Sequence, residues 1–233
     1  MIIKRSIKIA ILAALCSLAG CGEQDANQSL AQGKGTAPQP IEITLVSMAG
    51  WAQTAGTMGK IERSIVEKIS ASLPGYRIKV KRRHFSLLPQ GDSELFLALE
   101  YKRWKQRKNT SAGRNDQFVA VGYSSGATAI YSLLKNGTFL DSPYAPAFLG
   151  LVDMALPIGT HDLTGHIPRN GDQRTRVVHY HRYATPRIAG IQNTRISRNH
   201  FSIIKSEYVT QGLASEAARA CRKTSNQNVD ANY

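Results

Sequence analysis

At 233 residues, 42% hydrophobic and 20% charged, the chain can build one folded domain with a sizeable core, and its composition excludes a disordered protein. The formal net charge is +14. No nucleic-acid motif accompanies it, so the charge points to a solvated basic surface or to anionic membrane phosphates, not to DNA or RNA.

The N-terminus, "MIIKRSIKIAILAALCSLAGC", has a basic start (Lys4, Arg5, Lys8), an apolar run from Ile9 to Ala19, and then small residues. The run is too short to span a bilayer, and the pattern predicts a secretory signal over residues 1–20. Loss of those three cations leaves about +11 on the remainder. Leu18-Ala19-Gly20-Cys21 resembles the lipobox of bacterial lipoproteins. That resemblance implies cleavage before Cys21, lipid on its thiol, and a place in the bacterial cell envelope. Gly22 follows the cysteine, which by the same resemblance favours the outer over the inner membrane. Cys16 would leave with the signal, so Cys221 would have no intramolecular partner and is expected to pack. Residues 21–40 are polar and rich in Gly, Pro and Gln, as a flexible tether behind a lipid anchor would be.

The folded domain is expected over residues 41–223, with a tail at 224–233. "IEITLVSM" predicts a β-branched strand. In "MGKIERSIVEKISASL", Ile61, Ile65, Ile69 and Leu73 recur every fourth residue, which is one helical face. "YRIKVKR" alternates as a strand does, and "DSELFLALEYKRW" predicts a helix capped by Asp92 or Ser93. "QFVAVG" is a short apolar strand, followed by the helix "ATAIYSLLK", which ends at Asn136-Gly137. "AFLGLVDM" and "RVVHYHRY" are two further strands, and "SEYVTQGLASEAARACRK" is a closing helix capped at Ser206. This alternation predicts an α/β fold: a mostly parallel central sheet with helices on both faces.

Between the third strand and its helix stands Gly122-Tyr123-Ser124-Ser125-Gly126, a G-x-S-x-G pattern. A strand directly before it and a helix directly after it give the context of a nucleophile elbow. A serine hydroxyl needs a base, and the base needs an orienting acid. His200 lies in "RNHFSIIKSEYV", just ahead of the last helix. The chain from Ile41 to about Lys223 resembles the α/β-hydrolase superfamily, in a compact thioesterase- or lipase-like form. The resemblance rests on the serine pattern, Asp153, and the segment Asn199-His200-Phe201-Ser202-Ile203. It implies the order Ser124, acid, His200, and a site at the C-terminal ends of the strands. Asp141 and Asp172 fall at the wrong ends, and the end of "RVVHYHRYATP" carries no acid. Asp153 is at the right end and Asp162 is the next candidate. Thioesterase domains of polyketide type are similar in placing their acid after the strand that follows the nucleophile.

The oxyanion hole is expected from the Ser125 amide and from an amide in "SMAGWAQTAG", where Ala49, Gly50 and Trp51 compete and Trp51 is the selected residue. His179 and His181 share one strand face, but no metal motif supports them, so no metal and no cofactor are expected. The basic runs "KVKRRH" and "KRWKQRK" read as solvated surface, with a membrane-facing patch as the alternative. About twenty residues separate Asp153 from the next strand, which leaves room for only a minimal lid. The resemblance thus implies a serine hydrolase of acyl esters or thioesters. A catalytically inactive hydrolase-fold lipoprotein acting as a binding module is the other expectation.

Overall fold

The computed structural model describes residues 40–50, 56–83, 91–140, 144–155, 161–170, 173–183 and 185–230. In chain order the elements are β1 (Glu42–Met48), α1 (Gly56–Ser72), β2 (Arg77–Arg83), α2 (Gly91–Lys108), β3 (Gln117–Tyr123), α3 (Ser125–Lys135) and β4 (Phe148–Val152). Three two-residue strands follow, β5 (His161–Asp162), β6 (Arg169–Asn170) and β7 (Gln173–Arg174). The chain then forms β8 (Arg176–His181), β9 (Ile188–Ala189), β10 (Gln192–Arg195), α4 (His200–Ile203) and α5 (Glu207–Asp230). Cys16, Cys21, the tether up to residue 39, Trp51, His84, Asp141 and Asp172 lie outside the described residues.

Six strands form one sheet in the order β10-β8-β4-β3-β1-β2, and every pairing is parallel. The two faces of each central strand feed different cores, because side chains alternate along a strand. Ile43, Leu45, Val119, Val121 and Tyr123 join Ile61, Ile65 and Ile69 of α1 and Val209, Leu213 and Ala217 of α5. Val46, Met48, Phe118 and Ala120 join Leu97, Tyr101 and Trp104 of α2 and Ala127, Ile130 and Leu134 of α3. Helices therefore cover both faces, and β1, β3 and β4 are buried along their whole length because neither face meets water.

Several details depart from the sequence expectation. α2 already includes Gly91, so Asp92 and Ser93 stand inside its first turn, and Asp92 accepts from Arg83 at 2.7 Å. β10 was not foreseen. Its sequence, "QNTR", is polar and half-exposed, as an edge strand tolerates. His200 opens the one-turn helix α4 where a loop was expected; Asn199 accepts from the Ser202 N–H, and the Ser202 hydroxyl accepts in return from the Asn199 N–H. α5 runs through Asp230, so most of the expected tail is helical, and Gln117 of β3 donates to Ser225 at 2.8 Å. Cys221 is buried in this helix without a disulfide, and burial pushes its thiol up to about 12.

The two basic runs mostly serve buried carboxylates. Arg82 pairs with Glu62 at 2.6 Å, Lys81 with Glu100 at 3.8 Å, and Arg107 with both Asp116 and Glu42. Glu42, Glu62, Glu100 and Asp116 are all buried, and a buried carboxylate without its cation would be costly. This pairing takes much of the charge of "KVKRRH" and "KRWKQRK" away from any membrane-facing patch.

Candidate active site

Two glycines set the turn at Ser124. A Cβ on Gly122 would stand 2.4 Å from the Gly126 carbonyl group, and one on Gly126 would stand 2.6 Å from the Met48 carbonyl oxygen. Both spacings lie far inside van der Waals contact, so only glycine lets α3 close against β3 and β1 here. Ser124 itself has φ 54° and ψ −119°. A serine just ahead of a helix ordinarily caps it, but this side chain makes no capping bond and stays available. The Ser124 N–H donates to the Val152 carbonyl at 2.9 Å, which fixes the turn to the end of β4.

Among the described residues, the only non-glycine residues with positive φ are Ser124 and Asp153, at 54° and 43°. Such backbone costs about 1–3 kcal/mol each and persists only where the surroundings enforce it. Asp153 leaves β4 with its N–H on the Tyr180 carbonyl at 2.8 Å. Its side chain is fully buried. The Nδ1–H of His200 donates to its Oδ2 at 2.5 Å, and the Thr185 hydroxyl donates to its Oδ1 at 2.5 Å. Arg182 donates Nε–H to both oxygens, at 2.9 and 3.2 Å. Burial alone would raise the Asp153 pKa. The bonds from His200 and Thr185 and the charge of Arg182 outweigh it, and the group lies below the usual carboxylate value.

His200 is held on a second side by Tyr123, the residue before Ser124. The rings stack with centroids 5.0 Å apart, and the Tyr123 hydroxyl donates to the His200 carbonyl at 2.7 Å. Burial first, and the Asp153 charge second, push the Tyr123 phenol up to about 12, so it remains a donor. With Nδ1 bonded to Asp153, Nε2 is the ring nitrogen left to act as a base. Ser124 and His200 are not hydrogen-bonded to each other in this structure. Catalytic bonds of this type are often long before substrate binds.

The other expected residues fall as follows. Asp162 is exposed and accepts from its neighbour Thr164 at 2.6 Å; it does not reach His200. Ser125 is the first residue of α3, so its N–H has no intrahelical acceptor and the helix dipole points at the same spot. The Ala49 N–H is taken by the Arg83 carbonyl at 3.0 Å, which removes Ala49 from the candidates for the second oxyanion donor. Gly50 is described and buried, whereas Trp51 is not described.

Sequence reasoning missed Arg182 and Thr185. The end of β8 carries no acid; it supplies the cation and the hydroxyl that hold the acid of β4. The Nδ1 of His181 donates toward the carbonyls of Arg182 and Thr185, at 3.0 and 3.1 Å, and clamps both residues in place. His179 stacks on His181 and donates to Asn193 at 3.2 Å, and burial pushes its pKa down to about 4. Among the described residues, no cluster of three or more His, Cys, Asp or Glu is disposed to hold a metal ion.

A parallel sheet, a strained serine turning from β3 into α3, an acid after β4 and a histidine before the last helix occur here in one chain order. The fold is that of an α/β hydrolase. No protein-family model matches the sequence, and no curated protein matches it. Solved structures similar to the chain include a cutinase-like protein from Cryptococcus sp., 16% identical, covering 81% of this chain and 97% of that one with a TM-score of 0.45. An esterase from Mycobacterium marinum is 11% identical over 81% of this chain and 74% of its own, with a TM-score of 0.48. A thioesterase from the prodiginine biosynthetic pathway in Streptomyces coelicolor is 11% identical over 81% of this chain and 96% of its own, with a TM-score of 0.42.

Proposed function

We propose that this α/β-hydrolase-fold protein is a serine hydrolase that cleaves an acyl ester or thioester through an acyl-enzyme. The observation that carries this reading is the 2.5 Å bond from His200 to a buried Asp153, with His200 stacked on Tyr123, the residue before a Ser124 held in strained backbone. In the proposed reaction, Ser124 Oγ attacks the acyl carbonyl and His200 Nε2 takes its proton. Asp153 fixes the Nδ1–H tautomer and stabilises the imidazolium. The Ser125 N–H and a second amide, from Gly50 or Trp51, receive the developing oxyanion. His200 then returns the proton to the leaving oxygen or sulfur and activates the water that frees the acyl group. No cofactor takes part in this scheme.

The test is labelling of the full chain, purified in detergent, with a fluorophosphonate probe. The expected result is a labelled parent protein and no label in Ser124→Ala. An unlabelled, folded parent would favour the second reading, a non-catalytic binding module, which has one observation on its side: the absence of a bond between Ser124 and His200.

The reading extends to a lipid-anchored protein of a bacterial envelope, on the signal and lipobox pattern at residues 1–21, with acylated envelope compounds as the substrate class. Tyr183 and Phe201 support it, being 80% and 67% exposed directly beside Arg182 and His200. Residues 182–205 hold five cations and no acid, and the Arg195 guanidinium lies 4.1 Å over the Tyr183 ring. An aromatic and cationic rim of this kind suits an anionic lipid surface. Cys21→Ser is expected to move the protein from the membrane fraction to the soluble fraction. Retention on the membrane with no lipid attached would refute the anchor.

A further inference from the structure

The Asp153–His200 pair touches a cation that the hydrolytic scheme does not require. Arg182 follows β8 directly, and its Nε–H is shared between the two oxygens of Asp153 at 2.9 and 3.2 Å. The guanidinium is partly exposed, while the carboxylate beneath it is fully buried. Asp153 is therefore held by three donors from two segments: His200 on Oδ2, Thr185 on Oδ1, and Arg182 across both.

We infer that Arg182 is a positioning residue: it aims the Asp153 carboxylate at His200 and, by sharing its negative charge, sets the lower pH limit at which the site works. This rests on the serine-hydrolase reading above. A carboxylate favours an imidazolium in proportion to the charge that it leaves uncompensated. With Arg182 seated on Asp153, that charge is largely matched, and the guanidinium itself opposes a second positive charge nearby. Both effects act in the same direction. They favour the neutral imidazole, the form that accepts the Ser124 proton, and so keep the base available as pH falls. Burial of the carboxylate limits the screening of the first effect. The low pKa of Asp153 agrees with this arrangement.

Among the described residues, two other titratable side chains act on the pair. Tyr123 of β3 stacks on His200 and stays protonated, with its pKa pushed up to about 12. His179 of β8 feels the Asp153 charge and is pushed down to about 4, chiefly by burial. Neither changes charge through the neutral range. From the last position of β8, His181 faces the carbonyls of Arg182 and Thr185, and Thr185 is uncharged. Arg182 is thus the fixed charge in contact with the acid.

The experiment compares the full chain in detergent with Arg182→Gln and Arg182→Lys. The rate of fluorophosphonate labelling is followed from acid to neutral pH, with thermal melts to confirm folding. Arg182→Gln is expected to move the acid limb upward by about one pH unit and to lower the plateau rate about tenfold. Arg182→Lys keeps a point charge but loses the planar Nε–H that both Asp153 oxygens share. It is expected to restore the acid limb and leave the plateau low. A folded Arg182→Gln whose acid limb stays at the parent position overturns the inference. So does an Arg182→Lys limb that is displaced while the plateau is intact, and this second variant decides alone if Arg182→Gln does not fold. A parent that never labels overturns the inference together with the hydrolase reading, whereas a labelled parent with an unmoved limb overturns the inference alone.

Discussion

Asp153→Asn is expected to lower kcat for ester hydrolysis by about 10,000-fold while the protein keeps its fold. The carboxylate accepts the His200 Nδ1–H at 2.5 Å, and an amide there can present an NH₂ group instead. The ring would then take the wrong tautomer and turn its N–H, not its lone pair, toward Ser124. Arg182 and Thr185 would both face a neutral group in place of their anion. The measurement is kcat on short-chain p-nitrophenyl esters, with circular dichroism to check folding. Asp162→Asn is the comparison. Asp162 caps a neighbouring turn through Thr164, and its loss is expected to leave kcat within about twofold. If both variants lost activity equally, or if Asp153→Asn lost less than about tenfold, the assignment of the acid would fail.

Gly122→Ala is expected to remove activity by about 100-fold or more and to destabilise the protein by at least about 1–3 kcal/mol. The added Cβ would meet the Gly126 carbonyl carbon and oxygen at 2.4 Å and the Ala127 nitrogen at 2.6 Å. These are backbone atoms of the first turn of α3, so no side-chain rotation relieves the clash. The helix start would move away from β3, taking with it Ser124 and the Ser125 N–H. Gly59→Ala in α1 is the control. Its Cβ would meet only the end of the Arg63 side chain, at 3.5 Å, and alanine in a helix interior is expected to stabilise by about 0.5–1 kcal/mol. Urea unfolding and labelling rates on the two variants separate a local packing requirement from a general intolerance to change. A Gly122→Ala protein with parental stability and labelling would remove the elbow from the account.

Much of the architecture is legible in the sequence. Apolar strands separated by amphipathic stretches specify a buried sheet between helices, because period 2 and period 3.6 patterns bury different sets of side chains. Ile61, Ile65, Ile69 and Leu73 all turned inward, as their spacing required. β10 escaped notice because an edge strand of Gln, Asn, Thr and Arg has no apolar signature; backbone pairing to β8 holds it. The length of α5 was underestimated because its last turns are polar, and one of them is tied down by the bond from Gln117 to Ser225.

The sequence by itself determined the candidates of the site: a serine between two glycines, an aspartate at a strand end, and a histidine ahead of the last helix. These choices are local, since the steric demand of a turn and the end of a strand are written in consecutive residues. Only the tertiary structure decided that Asp153, and not Asp162, meets His200, and that Tyr123 braces the imidazole. It alone decided that Arg182 and Thr185 hold the acid, and that the Ala49 amide is already spent on Arg83. Those contacts join segments far apart in the chain. Strand order and register set them, and no periodicity within one segment records which neighbour the next strand will bring.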